Sequence, residues 1–245
     1  MDPLLFTPRL KLTLVENAER GSPELTWLHE MRSNAQATFW SILGQAKTLE
    51  DTEKYARMCL DTEEENGKSN SYRMLYAVHE ILSSASAPNN NANNTDDSRH
   101  PNTSPSRFVG LINIKPIGGP NDLEIPAAHI DPTTLNPSTL VLEIGYQFLP
   151  VSWGKGYATE SISAIFDALK RAAQPSTNES SYWLPYQNLY VRAIVNEENP
   201  ASLRVMAKTG MQKTGIWEWT GEAVWLAGRW IDKSKIHIFG KYLIQ

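Results

Sequence analysis

"LEIGYQFLPVSWGKGYATES", residues Leu142 to Ser161, joins a strand pattern to a helix pattern through two glycines and a lysine. Leu140, Leu142, Ile144, Tyr146 and Phe148 form one alternating row. Val141, Glu143, Gly145, Gln147 and Leu149 form the other, which is the period of a β-strand. Gly145 inside the strand points to a bulge or to the close approach of another group. Past Pro150, the residues Ile162, Ile165, Phe166 and Leu169 keep helical spacing. Gly154 and Gly156 let the backbone turn tightly with its N–H groups outward. A helix starting near Tyr157 leaves its first N–H groups unpaired at the positive end of its dipole, and Lys155 adds a charge. A pyrophosphate would be well held there. Taken alone, the stretch also reads as a plain strand-to-helix turn. It has neither the lysine-serine pair of a Walker loop nor the third glycine of a dinucleotide fingerprint.

Outward from this stretch the pattern alternates between the two periods. Arg9–Glu16 reads as a strand, and Pro23 begins a helix capped by Ser22. A second helix starts after Thr48, with Asp51 in capping-box position. Ser71–Leu82 and Arg107–Ile117 read as strands, as does Leu189–Val195. Asn199, Pro200, Lys208 and Gly210 bracket a short helix from N-cap to terminator. The C-terminal region reads as two strands and a long connection. The order predicts an α+β (mixed α/β) fold, one domain over 1–245, with a strand–helix–strand unit that is parallel and right-handed around the glycine turn. Residues 83–106 carry almost no apolar side chains and read as a mobile insertion, with a second insertion at 174–188.

With 245 residues, 41% hydrophobic and 20% charged, the chain has the composition of a soluble globular protein that buries a substantial core. The formal net charge of -4 supplies no basic surplus for nucleic acid. The one cysteine, Cys59, excludes an intrachain disulfide, no zinc-ligand spacing exists, and no metal is expected. Cys59 falls on the inward face of the second helix. No signal-peptide pattern or bilayer-length apolar run is present, so the expected location is the cytosol, with the nucleus as the alternative.

The strand ending "LEIGYQFLP", then "WGKGYATE", then "NPASLRVMAKTGM" together resemble the GNAT (Gcn5-related) N-acetyltransferase superfamily, and most closely its RimJ/RimL ribosomal-protein alanine acetyltransferase branch. The family's pyrophosphate motif falls on Trp153, Gly154, Lys155, Gly156, Tyr157 and Ala158, with Trp153 where Gln or Arg is usual. The Asn-x-x-Ser … Lys-x-Gly-Phe signature falls on Asn199, Ser202, Lys208 and Gly210, with Met211 in place of Phe.

The resemblance implies a central, largely antiparallel sheet with flanking helices and two splayed central strands that admit the pantetheine arm of acetyl-CoA. It implies direct acetyl transfer to an amine. The implied cofactor-binding residues are Gln147, Phe148 and Leu149 through their main chain, Trp153 to Thr159 at the turn, and Asn199. A backbone N–H near Gln147–Leu149 would polarise the thioester carbonyl. Glu143 is the candidate base, direct or through water, against the plain alternative of a solvated glutamate. His79 is a weaker base candidate. Glu160 reads as structural, favouring the helix dipole. Many relatives donate a proton to the leaving thiolate from a tyrosine whose matching position is Met206, so Ser202 becomes the candidate donor. The expected acceptor is a protein N-terminal amine. A small amine and a non-catalytic CoA- or partner-binding module are the alternatives. Trp217, Trp219, Trp225 and Trp230 crowd the C-terminal region, some as candidates for the acceptor site.

Overall fold

The computed structural model describes residues 1–60, 72–82, 104–118, 122–173, 183 and 185–245. One eight-stranded sheet runs through it. Its strands are β1 (Leu4–Phe6), β2 (Leu10–Leu14), β3 (Met74–Ile81), β4 (Ser106–Pro116), β5 (Thr139–Phe148), β6 (Asn188–Asn196), β7 (Gln212–Leu226) and β8 (Arg229–Ile244). They lie in the order β1-β2-β3-β4-β5-β6-β8-β7. β5 and β6 run parallel, joined by the helix α3 (Tyr157–Arg171), and every other neighbouring pair is antiparallel. The expected mixed, largely antiparallel α+β sheet is the one found.

Alternation along the strands sends two sets of side chains to opposite faces. Leu142, Ile144 and Phe148 of β5 pack with Ile162, Ile165, Phe166 and Leu169 of α3 and with Met206 of α4 (Pro200–Lys208). Leu75, Ala77, Phe108, Leu111 and Leu149 pack on the other face with α1 (Pro23–Arg32) and α2 (Leu49–Leu60). Cys59 is buried in this second layer, as its helical position required.

The helix ends follow their local signals. The Ser22 side chain accepts from Leu25 N at 3.1 Å, and Pro23 opens α1. Thr48 and Asp51 exchange bonds, Asp51 N to Thr48 Oγ1 at 3.2 Å and Thr48 N to Asp51 Oδ2 at 3.0 Å. Gly210 adopts φ 73° after α4, and Met211 N returns to Met206 O at 3.2 Å.

Three readings change. β1 has no counterpart in the sequence pattern, because three residues are too few to show a period. The β4–β5 register runs unbroken through Gly145, which faces Asn113, so there is no bulge on that side. The C-terminal segment is one long hairpin, β7 and β8 of 15 and 16 residues, turned by Ala227 and Gly228 at φ 53° and 77°. Both central turn residues at positive φ give a turn whose twist suits a hairpin. Most of the two expected insertions, at 83–106 and 174–188, lies outside the described residues.

Candidate active site

β5 and β6 pair from Thr139↔Asn188 to Glu143↔Arg192 and no further, although β5 continues to Phe148 and β6 to Asn196. The two parallel strands therefore part at their carboxyl ends, where ligands of such sheets bind. Which peptide groups face the opening follows from the bonds to β4. Leu149 N donates to Val109 O at 2.9 Å, and Ile117 N donates to Val141 O at 3.2 Å. Odd-numbered peptide groups of β5 thus turn to β4, and even-numbered ones turn to the opening. This revises the expected main-chain set. Phe148 and Tyr146 present their backbone to the gap, whereas Gln147 and Leu149 are directed to β4. The Phe148 carbonyl is itself taken by Trp153 Nε1 at 2.7 Å, which folds the start of the glycine turn back onto the strand.

The turn has the geometry its glycines suggest. Gly154 and Gly156 hold φ 74° and 81°, a region that costs other residues about 1–2 kcal/mol. Gly156 occupies the N-cap of α3, and among the described residues no side chain accepts from the first turn there. The helix N-terminus, with Tyr157, Ala158 and Thr159, therefore offers main-chain donors to an outside acceptor. Lys155 is exposed beside it. A shell of ion pairs fixes this turn from behind. Arg9 Nη1 donates to Lys155 O at 3.0 Å, and Arg9 Nε and the Thr7 hydroxyl bind Glu160 at 2.8 and 2.5 Å. Glu160 is thus held by Thr7 and Arg9. The Tyr157 hydroxyl donates to Glu80 Oε1 at 2.5 Å, with Arg107 also on Glu80 and Lys155 Nζ at 3.7 Å. That hydroxyl, with Arg107 next, holds the Glu80 carboxyl below the usual range. Tyr157 thus has its side chain committed inward and only its backbone free for a ligand.

Glu143 sits at the fork itself. Arg192 Nε and Nη2 both donate to Glu143 Oε2, at 3.0 and 2.9 Å, with the two side chains 10% and 14% exposed. Lys115 Nζ lies 3.8 Å from Glu143 Oε1 and also binds Asp122. Glu143 is therefore no freely solvated carboxylate. Its cross-strand neighbours are cations on both sides, a partnership sequence spacing could not reveal because it joins three strands.

On the α3–α4 face, Tyr146 and Ser202 meet hydroxyl to hydroxyl at 2.5 Å. Burial pushes the Tyr146 phenol up to about 12, so it stays protonated at neutral pH. Tyr146 is the functional candidate that sequence reading passed over as one of a row of core side chains. Its even position in β5, facing the gap helices, was the available signal. Asn199 Oδ1 accepts from Ser202 N at 3.1 Å, so its capping role is met. Met206 is fully buried. His79 lies between Trp27 and Phe108, ring centroids 4.5 and 5.6 Å away, and burial lowers it to about 4. It is a core residue, and the charge of Lys11 lowers it further.

Beyond the end of β6 the hairpin continues alone, and Ala227 N donates to Phe39 O at 2.9 Å. The α1–α2 connection and the hairpin tip so form a bridge. Its exposed large apolar side chains are Phe39, Ile42, Leu43, Trp225 and Trp230, the two tryptophans in edge contact at 5.6 Å and 52% and 68% exposed.

The chain was compared with known proteins. It has no match among curated protein sequences. In fold it is similar to the ribosomal-protein-S5-alanine acetyltransferase of Vibrio fischeri, with a TM-score of 0.55, 13% identity, and 98% of this chain and 96% of that chain covered. It is similar also to an acetyltransferase of Salmonella typhimurium that modifies the N-terminal serine of ribosomal protein L7/L12, at 0.53 and 14%, covering 97% and 98%. The spermidine N-acetyltransferase of Vibrio cholerae, solved with CoA and spermine, matches at 0.52 and 15%, covering 97% of each chain. The family model of the acetyltransferase (GNAT) domain matches residues 11–212, and the chain belongs to that family.

Proposed function

We propose that this protein is an acetyl-CoA-dependent N-acetyltransferase of the RimJ/RimL type, acting on the N-terminal amine of a polypeptide. The observation that carries the acetyl-CoA part is the parting of β5 and β6 beside an uncapped glycine turn. The main-chain donors of Gly154–Thr159 suit the pyrophosphate, and the Tyr146 and Phe148 backbone suits the pantetheine amides. The apolar bridge of Phe39, Ile42, Leu43, Trp225 and Trp230 favours a peptide as acceptor, since a polyamine gains little from aromatic and aliphatic surface.

In this reading the neutral amine attacks the thioester carbonyl. The C–N bond forms as the C–S bond breaks, and the electron pair leaves on sulfur. Glu143 takes the amine's proton, directly or through water, while Arg192 fixes the carboxylate. The Tyr146 hydroxyl, backed by Ser202, donates to the departing sulfur. Asn199 caps α4 and so places Ser202 beneath Tyr146.

Acetyl-CoA is expected to raise the melting temperature, and free CoA is expected to appear when N-terminal peptides are added. No shift at millimolar acetyl-CoA would remove the whole reading. CoA release with spermidine and with none of the peptides would move the acceptor to small amines.

A further inference from the structure

On the α1–α2 face of the sheet, β4 and β5 present a small polar floor just past the fork. The cross-strand pairs there are Leu111↔Gln147, Asn113↔Gly145 and Lys115↔Glu143, so all six residues share one face. The centre of this floor is Gly145. It is exposed, its φ is ordinary, and a Cβ built on it meets nothing within 4 Å among the described residues. Two side-chain oxygens flank it, Asn113 Oδ1 directly opposite and Gln147 Oε1 two residues along. Both oxygens are buried, and neither has a hydrogen-bond partner among the described residues. A buried amide carbonyl gains by accepting a hydrogen bond, and these two lie beside one open glycine. What they lack is N–H donors.

We infer that Asn113 Oδ1, Gln147 Oε1 and the open face of Gly145 form the seat of the acceptor's primary amine, holding it next to Glu143. This inference rests on the acetyltransferase reading above and adds the residues that position the acceptor. A primary amine fits by chemistry: it carries several N–H donors, and its free lone pair must remain unblocked for attack. Two amide oxygens take two of its hydrogens without adding charge. Arg192 and Lys115 offset the charge of Glu143 on that side of the floor, so the carboxylate does not hold the acceptor as an ammonium ion, which favours the neutral amine that the reaction needs. An N-terminal amine and the end of a polyamine share this chemistry, and the experiment separates them.

The test is Gly145→Val, which fills the seat from an ordinary strand position, beside Asn113→Leu, which removes one carbonyl. Hexapeptides beginning with Ala, Ser or Met, their N-acetylated forms, and spermidine are the probes. In calorimetry without acetyl-CoA, the wild type is expected to bind at least one free amine tenfold or more tightly than its acetylated form. Both variants are expected to lose that preference. In turnover the KM for that amine should rise at least tenfold, with acetyl-CoA affinity and melting temperature close to wild type. Peptide preference assigns the seat to an N-terminal amine, and spermidine preference to a polyamine end; either supports the inference. If no probe amine is preferred over its acetylated form, or the variants keep the preference, the inference falls. If the variants lose acetyl-CoA affinity instead, the floor belongs to the donor and the inference again falls. A wild type that prefers the free amine yet binds no acetyl-CoA would leave the seat standing and remove the acetyltransferase reading.

Discussion

Tyr146 on β5 and Ser202 on α4 share a hydroxyl contact of 2.5 Å across the side of the sheet where β5 and β6 have parted. The residue that sequence comparison would ask for, a tyrosine on α4, is replaced by a buried methionine at 206. In the proposed mechanism the phenol therefore comes from the strand, and the helix supplies only its hydroxyl partner. Tyr146→Phe is expected to lower kcat by about tenfold to a hundredfold, within or below the range usual for a positioned proton donor. Acetyl-CoA affinity should hold. Ser202→Ala, which leaves the phenol in place, should cost less. Rapid-quench measurement of the transfer step checks this, and an unchanged rate in Tyr146→Phe would place the donor elsewhere.

The glycine turn gives a second expectation. Among the described residues, Gly154 at φ 74° has open space around the Cβ position, and Gly156 at φ 81° has only the Arg9 guanidinium at 3.6 Å. Alanine at either site meets backbone strain and little else, so the loss of stability should be about 1–2 kcal/mol. The effect on the cosubstrate should be larger in relative terms, because relief of the strain turns N–H groups away from the pyrophosphate. Isothermal titration is expected to show acetyl-CoA affinity weakened tenfold or more in Gly156→Ala. Dissociation constants equal to wild type would deny the turn its phosphate role.

Much of this arrangement was legible in the chain because it is local. Ser22, Thr48, Asn199 and Gly210 announce helix ends through bonds that span three or four residues, and all four behave as their types suggest. The Gly154–Gly156 turn is legible for the same reason. The partners of Glu143 are not, since Lys115 and Arg192 reach it from strands 28 and 49 residues away, a distance set only by sheet order. The direction of the β5 peptide groups is likewise invisible until Val109 and Ile117 show which parity faces β4. A bulge inferred at Gly145 from composition alone proved to be an open position in a regular ladder, because a missing side chain marks space as readily as distortion.

The Glu143–Arg192 pair separates structure from chemistry. Arg192→Met leaves a mostly buried carboxylate with Lys115 as its remaining cation at 3.8 Å. The cost in stability should be about 3 kcal/mol, the lower end for removing one partner of a buried pair. Glu143→Gln keeps an acceptor for the guanidinium and should cost less than half of that. Its turnover should nevertheless fall at least tenfold, with the largest deficit at low pH, where the amine is most in need of deprotonation. Denaturant unfolding and a pH–rate profile report the two effects independently. Full turnover in Glu143→Gln would reduce Glu143 to a structural partner of Arg192.

Acid should destabilise the fold in two stages. His79 is lowered to about 4 by burial first and by Lys11 second, against about 6.5 in an unfolded chain. Between those values the unfolded state binds the extra proton, so stability rises with pH there. The His79 contribution is complete above about pH 6.5 and is lost as pH falls toward 4, with a slope of at most about 1.4 kcal/mol per pH unit. Glu80 is depressed by the Tyr157 hydroxyl and Arg107. Glu160 is pushed up by burial but lowered on balance by Thr7 and Arg9. Their contributions are present above the unfolded carboxylate range, near 4.3, and disappear below it as each folded-state carboxyl takes up its proton. Melting temperatures measured from pH 8 to pH 3 should therefore fall first below pH 6.5 and again below about pH 4.5. His79→Gln, which removes the titrating ring, should flatten the first fall and leave the second. Parallel curves for the two proteins would show that the buried imidazole does not set the upper limb.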